Sequence, residues 1–350
     1  MPIEHILRVI RNQKRCLLKL FVTLLILGLS ISCTSATEEG SSVKTDLGSA
    51  GNSEAKKRYD TYLNTRQLES SGCLATGTGL PRVIISGFGL FSGVTSNISG
   101  AVTNTMADER YFSGTSSEEG DSNVVEGMVA GRIAGSDSSV KTVVRTITYN
   151  DVKFEACFLT LDVIWDLAAA IIINEARSFD PDLIVMSGLD GSSQKTVTVE
   201  GGAINNAVAY HSFDSNGNVL EVEPVTDRGP ILPIDRNGVE PILPMTWNSS
   251  RIGTKITDKV SELNSSYSVR IPGTARDGND YICNNVSYSV LAAMKGVAID
   301  LAGGEITFPS RKQKARAGFF HYPASSKNVA AEVAQWADII AELVVSEIAN

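Results

Sequence analysis

Apolar residues along this chain fall into two kinds of block, and their alternation sets the first expectation about the fold. PRVIISGFG (81–89), KTVVRTITY (141–149) and PDLIVMSGL (181–189) are short runs rich in β-branched residues and bounded by glycine or polar positions, the pattern of strands. FLTLDVIWDLAAAIIINEARSF (158–179) is long and apolar enough to predict a helix between the last two. Strand, helix, strand implies a right-handed βαβ unit and a sheet covered on both faces. Further on, SSRIGTKITDKVSELNSS predicts a helix, SVRIPG a strand and NNVSYSVLAAMKGVAIDLAG a helix. EITF and the residues around GFFHYP add strands or loops, and VAAEVAQWADIIAELVVSEIA (329–349) closes the chain with an amphipathic helix. With no internal repeat, the pattern predicts an α/β fold: one three-layer α/β/α sandwich with a twisted, largely parallel central sheet.

The first residues are of different material. Arg8, Arg11, Lys14, Arg15 and Lys19 precede the apolar run LFVTLLILGLSI, which stops at Ser32 and Cys33. A basic region followed by a short apolar run predicts a secretion signal over 1–32, too short and wrongly flanked for a spanning helix. Its end resembles the lipobox at which bacterial lipoproteins are cleaved and acylated, with Leu29 one place further from the cysteine than usual. That resemblance implies lipidation of Cys33 and anchoring to the bacterial cell envelope, on its periplasmic face or the cell surface. Residues 33–80 begin small and polar and predict a tether with a short helix over 56–72, leaving 81–350 as the folded domain.

Composition narrows the partners. The chain is 43% hydrophobic and 20% charged, ample for one sizeable core, and carries a formal net charge of -8. Loss of residues 1–32, with five basic residues and one acidic residue, takes that charge to -12. No basic run or basic-aromatic interleaving marks a nucleic-acid surface, so no nucleic-acid partner is expected. Homo-oligomerisation is left open by the sequence.

Cys33, Cys73, Cys157 and Cys283 follow the signal segment, and acylation of the first leaves an odd three. An odd count in an exported protein flags a free thiol. Cys283, in YICNNV (281–286), stands just before a predicted helix, where free N–H groups stabilise a thiolate. Taken alone it reads first as a small buried hydrophobe, then as a nucleophile, with a disulfide to Cys73 or Cys157 as a third option. A nucleophilic cysteine needs a base, usually histidine, and the chain has only His5, His211 and His321. His321 lies among apolar residues in AGFFHYPAS, a setting equally suited to a hydrogen-bonded core histidine. Glu200, where TVTVE meets two glycines, is a candidate to orient the ring, or a solvated acid.

Taken together these segments resemble the pyroglutamyl peptidase I (pyrrolidone-carboxylate peptidase) family, whose order is glutamate, cysteine, histidine. GFGLFSGVTSNIS (87–99) is similar to the family's loop after its first strand, and PDLIVMSGLDGSSQKTVTVEGGAIN is similar to the glutamate segment. Tyr281, Ile282, Cys283 and Asn284 match the cysteine motif, and Gly318 to Pro323 the histidine motif. The resemblance runs from about residue 81 to 350. It implies a cysteine peptidase that removes an N-terminal pyroglutamyl group from a blocked peptide without metal or cofactor. Cys283 would attack, His321 would exchange protons and Glu200 would hold the imidazole. Phe88, Phe91, Asn97, Leu189 and Ile282 would bind the acyl ring, Asn97 through its lactam carbonyl.

Around the same motifs the sequence departs from the family. Leu90 and Ile98 replace prolines, Leu189 replaces a glutamine and Gly201 a basic residue, and the approach to the cysteine is stretched into TARDGND. Extra length is expected around 107–140 and 215–250. These departures motivate two rival expectations: a binding module on the same fold without catalysis, and a related amidase acting on cell-envelope peptides.

Overall fold

The computed structural model describes residues 43–45, 53–68, 72–91, 97–108, 111, 140–208, 212–213, 217–220, 231–232, 240–276, 278–296, 299–301, 305–306 and 315–349. The signal segment, Cys33 and His211 lie outside these residues, as does most of the extra length expected around 107–140 and 215–250. Among the described residues no helix is long and apolar enough to cross a membrane.

Seven strands make the central sheet: β1 (Arg82–Phe88), β2 (Val140–Tyr149), β3 (Val152–Leu161), β4 (Leu183–Asp190), β5 (Thr196–Val199), β6 (Ser268–Arg270) and β7 (Arg316–Pro323). Their order is β6-β5-β7-β4-β1-β3-β2. The four strands β7, β4, β1 and β3 run parallel, whereas β2 is antiparallel to β3 and β5 is antiparallel to β7. Strands β1 and β4 are apolar at nearly every position because both sheet faces are covered, so alternation is lost.

The covering helices are α1 (Ser53–Leu68), α2 (Ile98–Ala107), α3 (Leu167–Phe179), α4 (Ser249–Leu263), α5 (Ile282–Met294) and α6 (Ala330–Ile348). Helices α2 and α4 pack against α6, and α1 and α5 against α3, giving the two outer layers of an α/β/α sandwich. The core between them includes Ile84, Phe158, Val185, Phe319, Tyr288 and Trp336, all buried.

Two sequence expectations change here. The predicted helix over 158–179 begins only at Leu167, because FLTL is the end of β3. The overlooked signal was Asn150-Asp151, which carry φ of 46° and 62° and close a two-residue hairpin between Tyr149 and Val152. Two left-handed residues in succession match the twist of a hairpin, and Asn and Asp tolerate that conformation. The helix predicted over NNVSYSVLAAMKGVAIDLAG ends at Met294, followed by Gly296 at φ 90°. Ile299–Leu301 is instead a short strand paired with Val43–Thr45 and Glu305–Ile306.

The packed structure also extends N-terminal to Pro81. Tyr59 and Tyr62 of α1 are buried, and Cys73 is bonded to Cys157 of β3 with a Cα–Cα separation of 5.6 Å. Pairing of Cys283 with either of these cysteines is therefore ruled out; Cys283 is a free thiol.

Candidate active site

Parallel register brings the site together at the carboxyl ends of β4 and β7. His321 on β7 lies directly beside Gly188 on β4, and beside Thr198 of β5 on its other edge. Glu200 follows β5 immediately. Its backbone is fixed on both sides: its N–H donates to Phe319 O at 3.0 Å, and its carbonyl accepts from Trp247 Nε1 and Ser249 Oγ, each at 3.2 Å. Gly318 permits this, since a Cβ there would fall 1.8 Å from the Trp247 ring.

Cys283 is the second residue of α5, whose N-cap is Tyr281. The following asparagines hold the helix start in place. Asn284 accepts from Ile204 N–H at 2.9 Å and donates to the carbonyls of Ile204 and Asn206 at 2.8 Å. Asn285 donates to Asp166 Oδ1 at 2.9 Å and accepts from the Asp166 N–H at 3.1 Å, tying α5 to the start of α3. Burial pushes the Asp166 carboxyl up to about 6 against the effect of that Asn285 bond. Below the sulfur lies Gly188, where a Cβ would stand 2.7 Å from Cys283 Sγ and 3.0 Å from Phe319 Cζ. Only glycine leaves the thiol this seat.

The three candidate chemical groups meet. His321 Nδ1 is 2.8 Å from Glu200 Oε1, with His321 2% exposed and Glu200 fully buried. The Cys283 side chain lines the same cavity as this ring and acts on its charge. With Nδ1 engaged by the carboxylate, Nε2 is the nitrogen left for sulfur. Burial disfavours charge on His321, but the interaction with Cys283, and then the bond and charge of Glu200, outweigh it and push the imidazole up to about 9. Glu200 is likewise opposed by burial, yet His321, Arg276 and Arg270 hold its carboxyl below the usual range. A thiol, a proton-carrying imidazole and a carboxylate that orients it can perform nucleophilic acyl transfer.

An arginine that the sequence reading did not single out joins this network. Arg276 Nε donates to Glu200 Oε1 at 3.2 Å, and its Nη1 lies 2.9 Å from Asp190 Oδ2 and 3.3 Å from Ser192 Oγ. Asp190 is opposed by burial but held below its ordinary range by bonds from Ser192 and by the charges of His321 and Arg276. Among the described residues no group of three or more His, Cys, Asp and Glu side chains is placed to hold a metal ion.

A cavity of about 480 Å³ opens over Cys283 and His321, with Phe91, Leu189, Phe213, Arg276, Asn279 and Tyr281 among its walls. Phe91 and Phe213 meet edge to face, with centroids 6.3 Å apart. Of the residues expected to bind an acyl ring, Phe91 and Leu189 line this cavity. Phe88 and Ile282 are buried in the core, 5% and 1% exposed, outside the cavity lining. Asn97 is also outside it. Its side chain caps α2, accepting from Ser99 N–H at 3.1 Å, and donates to Gly89 O at 2.8 Å. Gly188, Asp190, Phe213, Arg276 and Asn279 were not singled out. The stretched TARDGND was visible as a departure, but nothing in its pattern told which side chains turn inward.

No protein-family model and no curated protein matches this chain. Among solved structures it is similar to pyroglutamyl peptidase I from Bacillus amyloliquefaciens, at 15% identity and a TM-score of 0.43, over 77% of this chain and 95% of that one. It is also similar to a mutant pyrrolidone carboxyl peptidase from Pyrococcus furiosus, at 15% identity and a TM-score of 0.45, over 77% and 98%. A futalosine hydrolase from Helicobacter pylori shares 8% identity at a TM-score of 0.35, over 76% and 98%. The likeness in each case is one of architecture.

Proposed function

We propose that the protein is an exported, lipid-anchored cysteine peptidase that removes an N-terminal pyroglutamyl, or closely related acyl, group from peptides. One observation carries the reading: the free thiol of Cys283 shares a cavity with a buried imidazole whose Nδ1 is held by Glu200 at 2.8 Å. His321 takes the proton of the Cys283 thiol as the sulfur attacks the acyl carbonyl; a C–S bond forms, and the amide C–N bond breaks as His321 gives that proton to the leaving amine. Water then attacks the thioester and His321 takes its proton. The acid is released and the thiol restored. The N–H groups of Asn284 and Asn285 are spent on the Tyr281 carbonyl, at 2.9 and 3.0 Å, so the N–H of Cys283 is the donor we assign to the oxyanion.

Turnover of a pyroglutamyl-linked fluorogenic amide by the full chain, abolished in Cys283→Ala, is the expected result. No release by the wild type sinks the reading.

The bond between Cys73 and Cys157 supports export, because such pairs persist in oxidising compartments. Labelled fatty acid should enter the wild type and not Cys33→Ala; equal labelling removes the anchor.

A further inference from the structure

One polar group at the cavity has no role in the chemistry above. Asn279 is 5% exposed and lines the cavity, yet its Nδ2 is buried without a hydrogen-bond partner in the protein. An amide donor left dry and unpaired costs about 1–3 kcal/mol, so such a group in a wall facing a reactive centre points to a partner that arrives from outside. Its backbone is set, with the N–H donating to Arg276 O at 3.2 Å and Gly278 beside it at φ 76°. It stands four residues before Cys283, on the segment that leads into α5. The rest of the lining includes the apolar Phe91, Leu189 and Phe213 and the charged Arg276 and Asp190. Arg276 is already shared by Glu200, Asp190 and Ser192.

We propose that Asn279 is the ring-carbonyl donor of this site: its Nδ2 binds the lactam oxygen of the substrate's acyl group, while the aromatic and aliphatic walls cover the ring. The proposal rests on the acyl-transfer reading above and deepens it. It gives the asparagine role to the stretched segment before the cysteine, Asn97 being committed to the cap of α2. A neutral donor beside apolar rings selects an uncharged five-membered lactam over a ring lacking the carbonyl, because only the lactam pairs the buried N–H.

The test is protection of Cys283 from iodoacetamide, which reads binding without turnover. Pyroglutamide carries the ring carbonyl and cyclopentanecarboxamide does not. The wild type should be protected by pyroglutamide at roughly tenfold lower concentration, the worth of one good neutral hydrogen bond. Asn279→Ala should erase that difference without a fall in melting temperature. Asn279→Asp, which keeps the shape and loses the donor, should bind pyroglutamide at least as poorly as Asn279→Ala. Equal protection of the wild type by both compounds overturns the proposal. So does a preference for pyroglutamide that survives in either variant, or a loss explained by a fall in melting temperature in both. Protection without hydrolysis removes the peptidase reading and leaves this contact standing. Hydrolysis with an indifferent Asn279 does the reverse.

Discussion

Cys157, within β3, and Cys283, at the start of α5, are sulfurs on one domain with opposite fates. Cys157 is fully buried and bonded to Cys73, joining the segment that follows α1 to the sheet. Cys283 is partly exposed, lines a cavity and is free, its sulfur lying over Gly188 and sharing that cavity with the His321 imidazole. The difference teaches where reactivity comes from in this fold. Both cysteines follow apolar or small residues, and only Cys283 has a helix start, a missing Cβ beneath it and a histidine in the same cavity. One sulfur holds chain together across 84 residues; the other is kept available.

Substitutions sharpen the contrast, the largest effect first. Glu200→Gln removes the charge that orients and supports His321 and should lower kcat on the order of 10³-fold. Glu200 helps hold the imidazole up at about 9, so the alkaline limb of the rate profile should also move to lower pH. A rate profile with both the limb and the plateau unchanged would leave Glu200 structural. Replacing Cys73 and Cys157 by alanine should cost about 2–5 kcal/mol in urea unfolding while the remaining folded protein still turns over substrate. Loss of turnover in fully folded protein would break the separation of the two sulfurs.

Gly188→Ala comes next. Its Cβ would stand 2.7 Å from Cys283 Sγ, so the thiol must shift, and displacement on that scale costs about 10²-fold in kcat. A crystal structure of the variant with sulfur unmoved and a normal rate would remove the seat from the account. The smallest effect is on stability. An unfolded imidazole titrates near 6.5, and His321 is pushed up to about 9. The stabilisation it provides is complete below the unfolded value and is lost as pH rises through the folded one. The melting temperature of the wild type should therefore fall more between those values than that of His321→Gln. Parallel curves would contradict the charge assigned to His321.

What could be read from sequence was what local pattern carries. The buried strands β1 and β4 announce themselves as continuous apolar runs, and Glu200, Cys283 and His321 stand in motifs whose order points to one centre. The start of β3 was lost because FLTL borders a helix, and apolar runs of that length have no period that separates strand from helix. Asn150-Asp151 held the missing information in backbone conformation rather than hydrophobicity. The cavity walls were harder still. Asn97 was expected to bind a substrate carbonyl, but asparagine also caps helices, and only the three-dimensional position of Ser99 and Gly89 shows which use is made here. Arg276 and Asn279 enter through a loop whose sequence fixes no direction for its side chains.

The proposed chemistry requires Cys283 to be an activated nucleophile rather than a stray free thiol. Iodoacetamide alkylation of the full chain at pH 6 tests it most directly, with peptide mapping to Cys283. Labelling of Cys283 should run well above the rate of an unperturbed cysteine at that pH and fall to or below that rate in His321→Ala. A rate no faster than that of an unperturbed thiol, and indifferent to His321, would contradict it.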